Sequence, residues 1–345
     1  MLVLIVLWNQ IIDLVTSGVN LLQRVSPAIS VAHGTTSRNP SNLGNPSSHT
    51  YSGRPPSYAI ENVFHKVAIF DFLSRENRVG DFNTLDSFGW CPIERAIVLE
   101  SAEITRILIQ TSNGADLNVP NCGDGRTPLT LASVIGLMKI TELLINSGAD
   151  VNREDNHGST PLISAISRGN LQIVKLLLRH GATLDLVSSQ GWTAIIMAIY
   201  SEKIEIVKYL IDNGADLDVH TQSGWTPLTM AICKNRIDIL KILIERGANV
   251  NYRPINANLA LSKAIEKNDL DVVKILVENG ANLNLHDKNG GTSLHNAIQQ
   301  GDLRIVKYMK ENGGNLNIKS LRNRYNSFEL AFIYKEIDML KQLLH

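Results

Sequence analysis

The sequence predicts an all-α solenoid, an array of short helix pairs that stack on one another. Two columns of residues at one constant spacing carry this prediction. The first is an alanine that recurs every 33 residues, at Ala132, Ala165, Ala198, Ala231, Ala264 and Ala297. The second is a glycine with the same spacing, at Gly148, Gly181, Gly214, Gly247, Gly280 and Gly313. Since stacked repeats offer extended surfaces, the function is expected to reside in binding.

The unit at residues 158–190 carries start and stop signals for two helices. Thr160 is a helix-capping residue, and the proline after it is tolerated in the first helical turn. Gly169 can end this helix in the left-handed conformation. The second helix is predicted at about residues 171–180, with Gly181 after it. About six buried aliphatic side chains cannot offset the entropy of ordering such a unit, so its stability must come from neighbouring units.

Short phrases mark both ends of the units. Thr-Pro-Leu opens a unit at residues 127–129, 160–162 and 226–228, and Gly-Ala-Asp-x-Asn stands at residues 114–118 and 148–152. With a helix pair between them, these phrases resemble the ankyrin repeat. The resemblance covers about residues 86–345. It implies an array of about seven repeats that binds a protein partner through its concave face.

Domain boundaries follow from where the period holds. Ankyrin repeats are expected at residues 86–323 and a degenerate capping repeat at residues 324–345. The apolar positions of that last helix pair include Ile337, Leu340, Leu343 and Leu344. Residues 59–85 are interpreted as an N-terminal capping helix, a half-repeat that covers the first full repeat. Residues 34–58 are rich in Ser, Pro, Gly and Asn, and we expect them to form a disordered linker.

Residues 1–33 form an amphipathic or signal-like hydrophobic segment. Residues 2–8 are continuously apolar, and the apolar residues after them recur with a helical period. Three interpretations stay open: an amphipathic helix that contacts a membrane surface or a partner through residues 1–25, a signal or anchor, and an extension without a role. Asn9 ends the apolar run too early for a spanning helix, and no basic residues precede the run as in a secretory signal.

Composition and motifs exclude several classes of function. The chain has 33 Lys and Arg against 33 Asp and Glu, so it has no global basic field for nucleic acid. Its three cysteines lack metal-ligand spacing. The sequence contains no phosphate-binding, zinc-protease, serine-hydrolase or kinase motif. We therefore expect a non-catalytic, cytoplasmic monomer without a cofactor or a metal.

Three departures from the ankyrin phrase predict local weaknesses. His295 stands alone at a position where ankyrin repeats use a histidine to link neighbouring loops, so the other loops are expected to be looser. In repeat six, residues 259–261 read Leu-Ala-Leu instead of Thr-Pro-Leu, which makes this repeat the expected weakest link. Glu202 occupies a left-handed turn position that it fits poorly.

The candidate partner-binding residues come from columns that vary between repeats. A tryptophan precedes the helix start at Trp90, Trp192 and Trp225, and tryptophan is enriched at protein interfaces. Tyr200 and Lys234 lie near the ends of the first helices of repeats four and five. Together they predict an aromatic and cationic patch on these two repeats. The alternative is that each tryptophan packs on its own loop.

The resemblance also implies a candidate modification. Asn152, Asn251 and Asn284 each follow a leucine by eight residues, a setting in which ankyrin asparagines can be hydroxylated in animals. The alternative is that they are loop asparagines whose side chains bond to local backbone.

Two functions of different kinds follow from the sequence. The leading one is a scaffold that binds a protein through the concave face of the array. The other is a membrane-anchored or exported ankyrin protein that uses residues 1–33 for targeting. An enzyme would need a site that the sequence does not offer.

Overall fold

The computed structural model describes residue 83 and residues 90–110, 115–121, 123–189, 191–255 and 257–344. The predictions for residues 1–33, for residues 34–58 and, apart from Asn83, for the half-repeat lie outside the described residues. The chain divides into two compact units. The described part of the first unit contains helices α1 (Pro92–Val98) and α2 (Ala102–Gln110).

The second unit contains seven helix pairs, and no strand occurs among its described residues. The first helices of the pairs are α3 (Pro128–Ile135), α5 (Pro161–Arg168), α7 (Ala194–Tyr200), α9 (Pro227–Cys233), α11 (Ala260–Glu266), α13 (Ser293–Gln300) and α15 (Ser327–Ile333). The second helices are α4 (Met138–Asn146), α6 (Leu171–Arg179), α8 (Ile204–Asp212), α10 (Ile237–Glu245), α12 (Leu270–Glu278), α14 (Leu303–Glu311) and α16 (Ile337–Leu344). With α1 and α2 counted as repeat one, α3 and α4 form repeat two, and α13 and α14 form repeat seven.

Local signals set where the first helices begin and end, as the sequence predicted. The side chain of Thr160 accepts a hydrogen bond from the backbone N–H of Ile163, and Gly169 ends α5 with φ +80°. Five repeats use other residues at the same left-handed position, among them Glu100 and Lys335 with φ values of +55° and +57°. Asn235 and Asn268 have φ values of +57° and +58°, and Glu202 also adopts +58° despite its poor fit. The array therefore imposes this turn even on a residue that disfavours it.

The core lies between the helix rows. First helices of neighbouring repeats pack against one another, and so do most second helices. The alanine column supplies small residues where first helices meet, and each of its six members is fully buried. Branched residues such as Ile166 and Ile199 fill the next position of the first helices. Because every such side chain is covered from both neighbours, stability is shared along the stack.

The loops between repeats are turns closed by hydrogen bonds. The N–H of Ser188 donates to the carbonyl of Trp192 (2.9 Å), and a neighbouring repeat repeats this bond between Thr221 and Trp225 (2.9 Å). Gly191 has φ +81°, and a Cβ there would lie only 2.7 Å from the Cα of Thr221. The backbones of these two successive loop tips are therefore in close contact, and this contact fixes the position of one loop relative to the next.

The last helix pair departs from the expected burial. Ile337 and Leu344 are 66% and 72% exposed, whereas Met339 and Leu343 are buried. Ile337 is the first residue of its helix, and the residue at that position of the preceding second helix, Leu303, is also exposed (40%). Phe332 stands where the preceding repeats have a buried isoleucine, yet it is 73% exposed. No following repeat covers it in the described part of the chain.

Candidate binding groove on repeats four and five

Two loop tips hold the tryptophans of repeats four and five in equivalent positions. The hydroxyl of Ser188 accepts a hydrogen bond from the N–H of Trp192 (3.0 Å), and the hydroxyl of Thr221 accepts one from the N–H of Trp225 (3.1 Å). In repeat three an aspartate, Asp155, accepts from the equivalent N–H instead (2.8 Å). A small neutral hydroxyl therefore replaces a carboxylate beside each tryptophan.

The aromatic side chains of repeat four form a pair that a lysine of repeat five covers. Trp192 and Tyr200 meet edge to face, with ring centroids 5.1 Å apart and planes at 69°. The Nζ atom of Lys234 lies 3.9 Å from the centroid of the Tyr200 ring. Such contacts each contribute about 0.5–1 kcal/mol. Tyr200 is nevertheless 47% exposed, so the pair offers an apolar surface to a partner.

A second lysine repeats this relationship one repeat further along. The Nζ atom of Lys263, on the first helix of repeat six, lies 5.2 Å from the centroid of the Trp225 ring. Its ammonium also pairs with Glu266 at 2.9 Å. Lys234 has no carboxylate within 4.0 Å among the described residues. The two cations therefore differ in that Lys234 has no acidic partner.

Trp192, Tyr200, Trp225 and Lys234 border one open groove of about 640 Å³. Trp192 and Tyr200 form one part of its wall, and Trp225 with Met230 forms another. The loop at residues 221–223 supplies polar groups along the same wall. The volume lies within the range of sites that hold a small ligand or the side chains of a peptide.

Four of the five residues predicted as partner-binding therefore meet at one groove: Trp192, Trp225, Tyr200 and Lys234. Trp90 is half-buried and does not line this groove. The sequence reasoning missed Met230 and Lys263, which stand one period apart at the same position of their helices. Reading that additional column would have found them.

The three candidate hydroxylation residues bond between repeats rather than within their own loop. The side-chain amide of Asn251 donates to the carbonyl of Gly280 (2.9 Å), and its oxygen accepts from the N–H of Asn282 (2.8 Å). Asn152 and Asn284 make the same two bonds to the next repeat. Each asparagine thus links two neighbouring loops.

His295 also links two repeats. Its Nδ1 atom accepts from the N–H of Thr292 (3.2 Å), and the opposite nitrogen, Nε2, contacts the carbonyl of Tyr325 (2.9 Å). The hydrogen-bond partners therefore place the proton of the neutral ring on Nε2. Burial lowers the pKa of His295 below its usual value. In repeat five the threonine at this position, Thr229, bonds only to Thr226 of its own repeat.

Neither a cluster of metal ligands nor a membrane-spanning helix occurs in the described part of the chain. No group of three or more His, Cys, Asp or Glu side chains there could hold a metal ion. None of the helices in the same residues is long and apolar enough to cross a bilayer.

The repeat geometry agrees with a comparison against known protein families. A family model described as ankyrin repeats matches residues 94–188, 181–254 and 257–345, which is more than half of the chain. The chain belongs to the ankyrin repeat family. The prediction of an all-α ankyrin solenoid is therefore confirmed, whereas the role of its individual surface residues stays a prediction.

Known ankyrin proteins resemble parts of this chain. Over 102 residues it is 32% identical to Neurogenic locus notch homolog protein 2 of Homo sapiens, which covers 28% of this chain and 4% of that protein. Neurogenic locus notch homolog protein 1 of Xenopus tropicalis gives the same identity and coverage. The chain thus spans about 4% of the length of these curated relatives.

A solved structure resembles a larger part of the chain. The crystal structure of the ankyrin repeat domain of Bcl-3, described as a unique member of the IkappaB protein family, superposes with a TM-score of 0.56 at 27% identity. The match covers 63% of this chain and 99% of that one.

Proposed function

We propose that this ankyrin protein is a non-catalytic scaffold that binds a protein partner through the groove on repeats four and five. Ankyrin repeats generally serve as protein-protein interaction modules, which supports the general function. The groove supports the particular site, because two tryptophans, a tyrosine and a lysine that has no acidic partner among the described residues converge there. Tryptophan and tyrosine are enriched among the residues that dominate binding energies at interfaces.

The competing interpretation is that the tryptophans only pack on their own loops. Trp192 contacts Tyr200, and Trp225 contacts Lys263, so each ring already has neighbours in the array. Both rings are only half-buried, however, and both line the open groove. A role in packing alone would leave that exposed aromatic surface without a use.

The test is quantitative affinity capture with the full chain and two variants. The groove variant combines Trp192→Ala with Trp225→Ala. The control variant combines Lys241→Ala with Lys274→Ala, on the second helices of repeats five and six. We expect the groove variant to lose the captured protein while the control retains it, with thermal unfolding of both close to that of the parent. Retention of every captured protein by the groove variant would overturn the proposed site.

We further propose that the chain acts in the cytoplasm as a monomer, with residues 1–25 as a membrane or partner contact. The continuously apolar residues 2–8 favour such a contact. Fractionation of cells that express a C-terminally tagged chain with or without residues 1–33 tests it. If the segment acts in targeting, only the longer form sediments with membranes, and identical distributions would overturn that role.

Hydroxylation of Asn152, Asn251 and Asn284 is also a proposal. The cross-repeat bonds of their side chains explain these residues structurally without a modification. Peptide mass spectrometry of the protein purified from its natural source decides between the two. An added oxygen on any of the three peptides supports modification, and unmodified peptides alone remove it.

A further inference from the structure

We infer that the groove on repeats four and five receives an extended acidic peptide segment of the partner, with a carboxylate on Lys234 and a neighbouring apolar side chain between Trp192 and Trp225. The inference rests on the proposed function, because it names the chemistry of the partner at the same site. The positive charge of Lys234, the apolar side chains of the groove wall and the ion pairs that already engage the nearby carboxylates support it.

The charge inside the groove has one sign. Lys234 is its ionised lining residue, and no carboxylate occurs among the described residues that line it. The ammonium of Lys234 lies over the Tyr200 ring, where it is half-buried and partly shielded from water. A cation in that setting gains more from an anion than a fully solvated lysine does.

The rim of the groove is formed by Glu202, Arg236, Lys263, Glu266 and Lys267, and one of these cations, Lys267, has no acidic partner among the described residues. Lys267 donates to the carbonyls of Ile232 and Cys233, at 3.0 Å each, which holds its ammonium beside the groove. It has no carboxylate within 4.0 Å among the described residues. The acidic groups of the same rim are already engaged, since Glu202 pairs with Arg236 and Glu266 with Lys263. The rim therefore attracts acidic rather than basic segments.

The walls of the groove select an apolar side chain next to that acid. Trp192 and Trp225 stand one repeat apart on equivalent loop tips, and Met230 closes the space behind them. A methionine side chain adapts to apolar groups of different shape. The loop at residues 221–223 runs along the same wall.

The anion that fits best is a carboxylate rather than a phosphate. A phosphorylated side chain carries close to two charges and three acceptor oxygens, and its sites usually combine several cations, arginine above all. Here one ammonium faces the groove, and no arginine is among the described lining residues. A single Asp or Glu side chain carries one negative charge, which the one ammonium of Lys234 can pair with.

The test begins with selection of a random 12-residue peptide library on the immobilised full chain. Selected peptides are then synthesised with each Asp or Glu intact, changed to the amide, or replaced by phosphoserine. Affinities are measured by fluorescence anisotropy for the parent, for the variant that combines Trp192→Ala with Trp225→Ala, and for Lys234→Met, which keeps the aliphatic stem over Tyr200. Lys241→Met, on a second helix, is the matched control. Urea unfolding confirms that each variant is folded.

The expected result is enrichment of peptides that pair an acid with an apolar residue and that require both tryptophans. Conversion of the acid to its amide should weaken binding about tenfold in the parent and in Lys241→Met, but less than threefold in Lys234→Met. Tryptophan-dependent peptides that are neutral or basic, or that bind more than tenfold better as phosphoserine, would overturn the inference and leave the proposed function standing. If no selected peptide depended on Trp192 and Trp225, the inference and the proposed groove would both fail.

Discussion

The Nζ atom of Lys234 lies 3.9 Å from the centroid of the Tyr200 ring, so that repeat five places a cation on an aromatic ring of repeat four. This contact joins the two halves of the groove, and the same ring also meets Trp192 edge to face. A pair of this kind couples the two repeats without covering the surface that a partner would use.

The first prediction concerns the energy of that contact. In a double-mutant cycle, Lys234→Met and Tyr200→Leu should show a coupling of about 0.5–1 kcal/mol in the free energy of unfolding by urea. The control cycle pairs Tyr200→Leu with Lys241→Met, and it should show coupling near zero. Equal coupling in both cycles would mean that the cation does not act on the ring.

A second prediction separates two threonines that stand at the same position. The hydroxyl of Thr226 accepts a hydrogen bond from the N–H of Thr229 (3.1 Å). The hydroxyl of Thr193 is buried and has no hydrogen-bond partner among the described residues. Thr226→Val should therefore cost about 1–2 kcal/mol of stability, because a helix cap is lost. Thr193→Val should be neutral or stabilising, because it removes an unsatisfied buried hydroxyl. A similar loss in both variants, measured by urea unfolding, would contradict the assignment of the caps.

A third prediction uses two glycines with nearly the same backbone conformation. Gly181 has φ +85°, and a Cβ there would meet nothing within 4 Å. Gly181→Ala should cost about 1–2 kcal/mol, the strain of a left-handed alanine. Gly191→Ala should cost clearly more, because its Cβ would collide with the loop of Thr221. That collision also moves a wall of the groove, so Gly191→Ala should weaken partner binding and Gly181→Ala should not. The urea midpoint and the affinity for the partner check the two effects.

The fourth prediction is a pH dependence that depends on His295. Burial lowers the pKa of His295 in the folded chain, so the unfolded chain binds a proton more readily. The stabilisation from neutral His295 is therefore complete above the unfolded pKa of about 6.5, and it is lost as the pH falls toward the lower folded pKa. At pH 7.5, His295→Thr should cost about 1 kcal/mol, because the bond to Tyr325 disappears.

This prediction is tested by comparing the stability of the parent protein with that of His295→Thr at different pH values. Between about pH 7 and pH 5 the advantage of the parent over His295→Thr should shrink, since only the parent carries the histidine. Unfolding free energies measured across this interval check it. Parallel pH profiles for the two proteins would show that His295 does not titrate with folding.

Local chemistry made most of the fold predictable. Thr160 and Gly169 determine where α5 begins and ends through their own backbone and side-chain bonds, so no knowledge of neighbours was needed. Glu202 shows the limit of such reasoning. It adopts the left-handed turn at φ +58°, and Arg236 of the next repeat donates to its carbonyl at 3.3 Å. That bond depends on the stack, which the local sequence does not reveal.

The groove was predictable in its columns but not in its full lining. A constant period brings Trp192 next to Trp225, and it brings the end of one first helix beside the next. Met230 and Lys263 stand one period apart in one column, yet Met230 lines the groove and Lys263 lies over the Trp225 ring. The period places both residues on equivalent helices, but it does not determine which contacts each side chain makes. Ile337 likewise begins its helix as Leu303 does, and how far a neighbour covers that position depends on the stack.

The central claim is that a partner occupies this groove, and the alkylation rate of Cys233 measures occupancy without removing any side chain. Cys233 is an exposed free thiol that lines the groove. Cys91 is a buried reference, and its burial raises the pKa of its thiol to about 12, so it should react very slowly throughout. With N-ethylmaleimide and peptide mass spectrometry, saturation with the captured partner should slow modification of Cys233 at least tenfold. An unchanged rate in the saturated complex would contradict the proposed site.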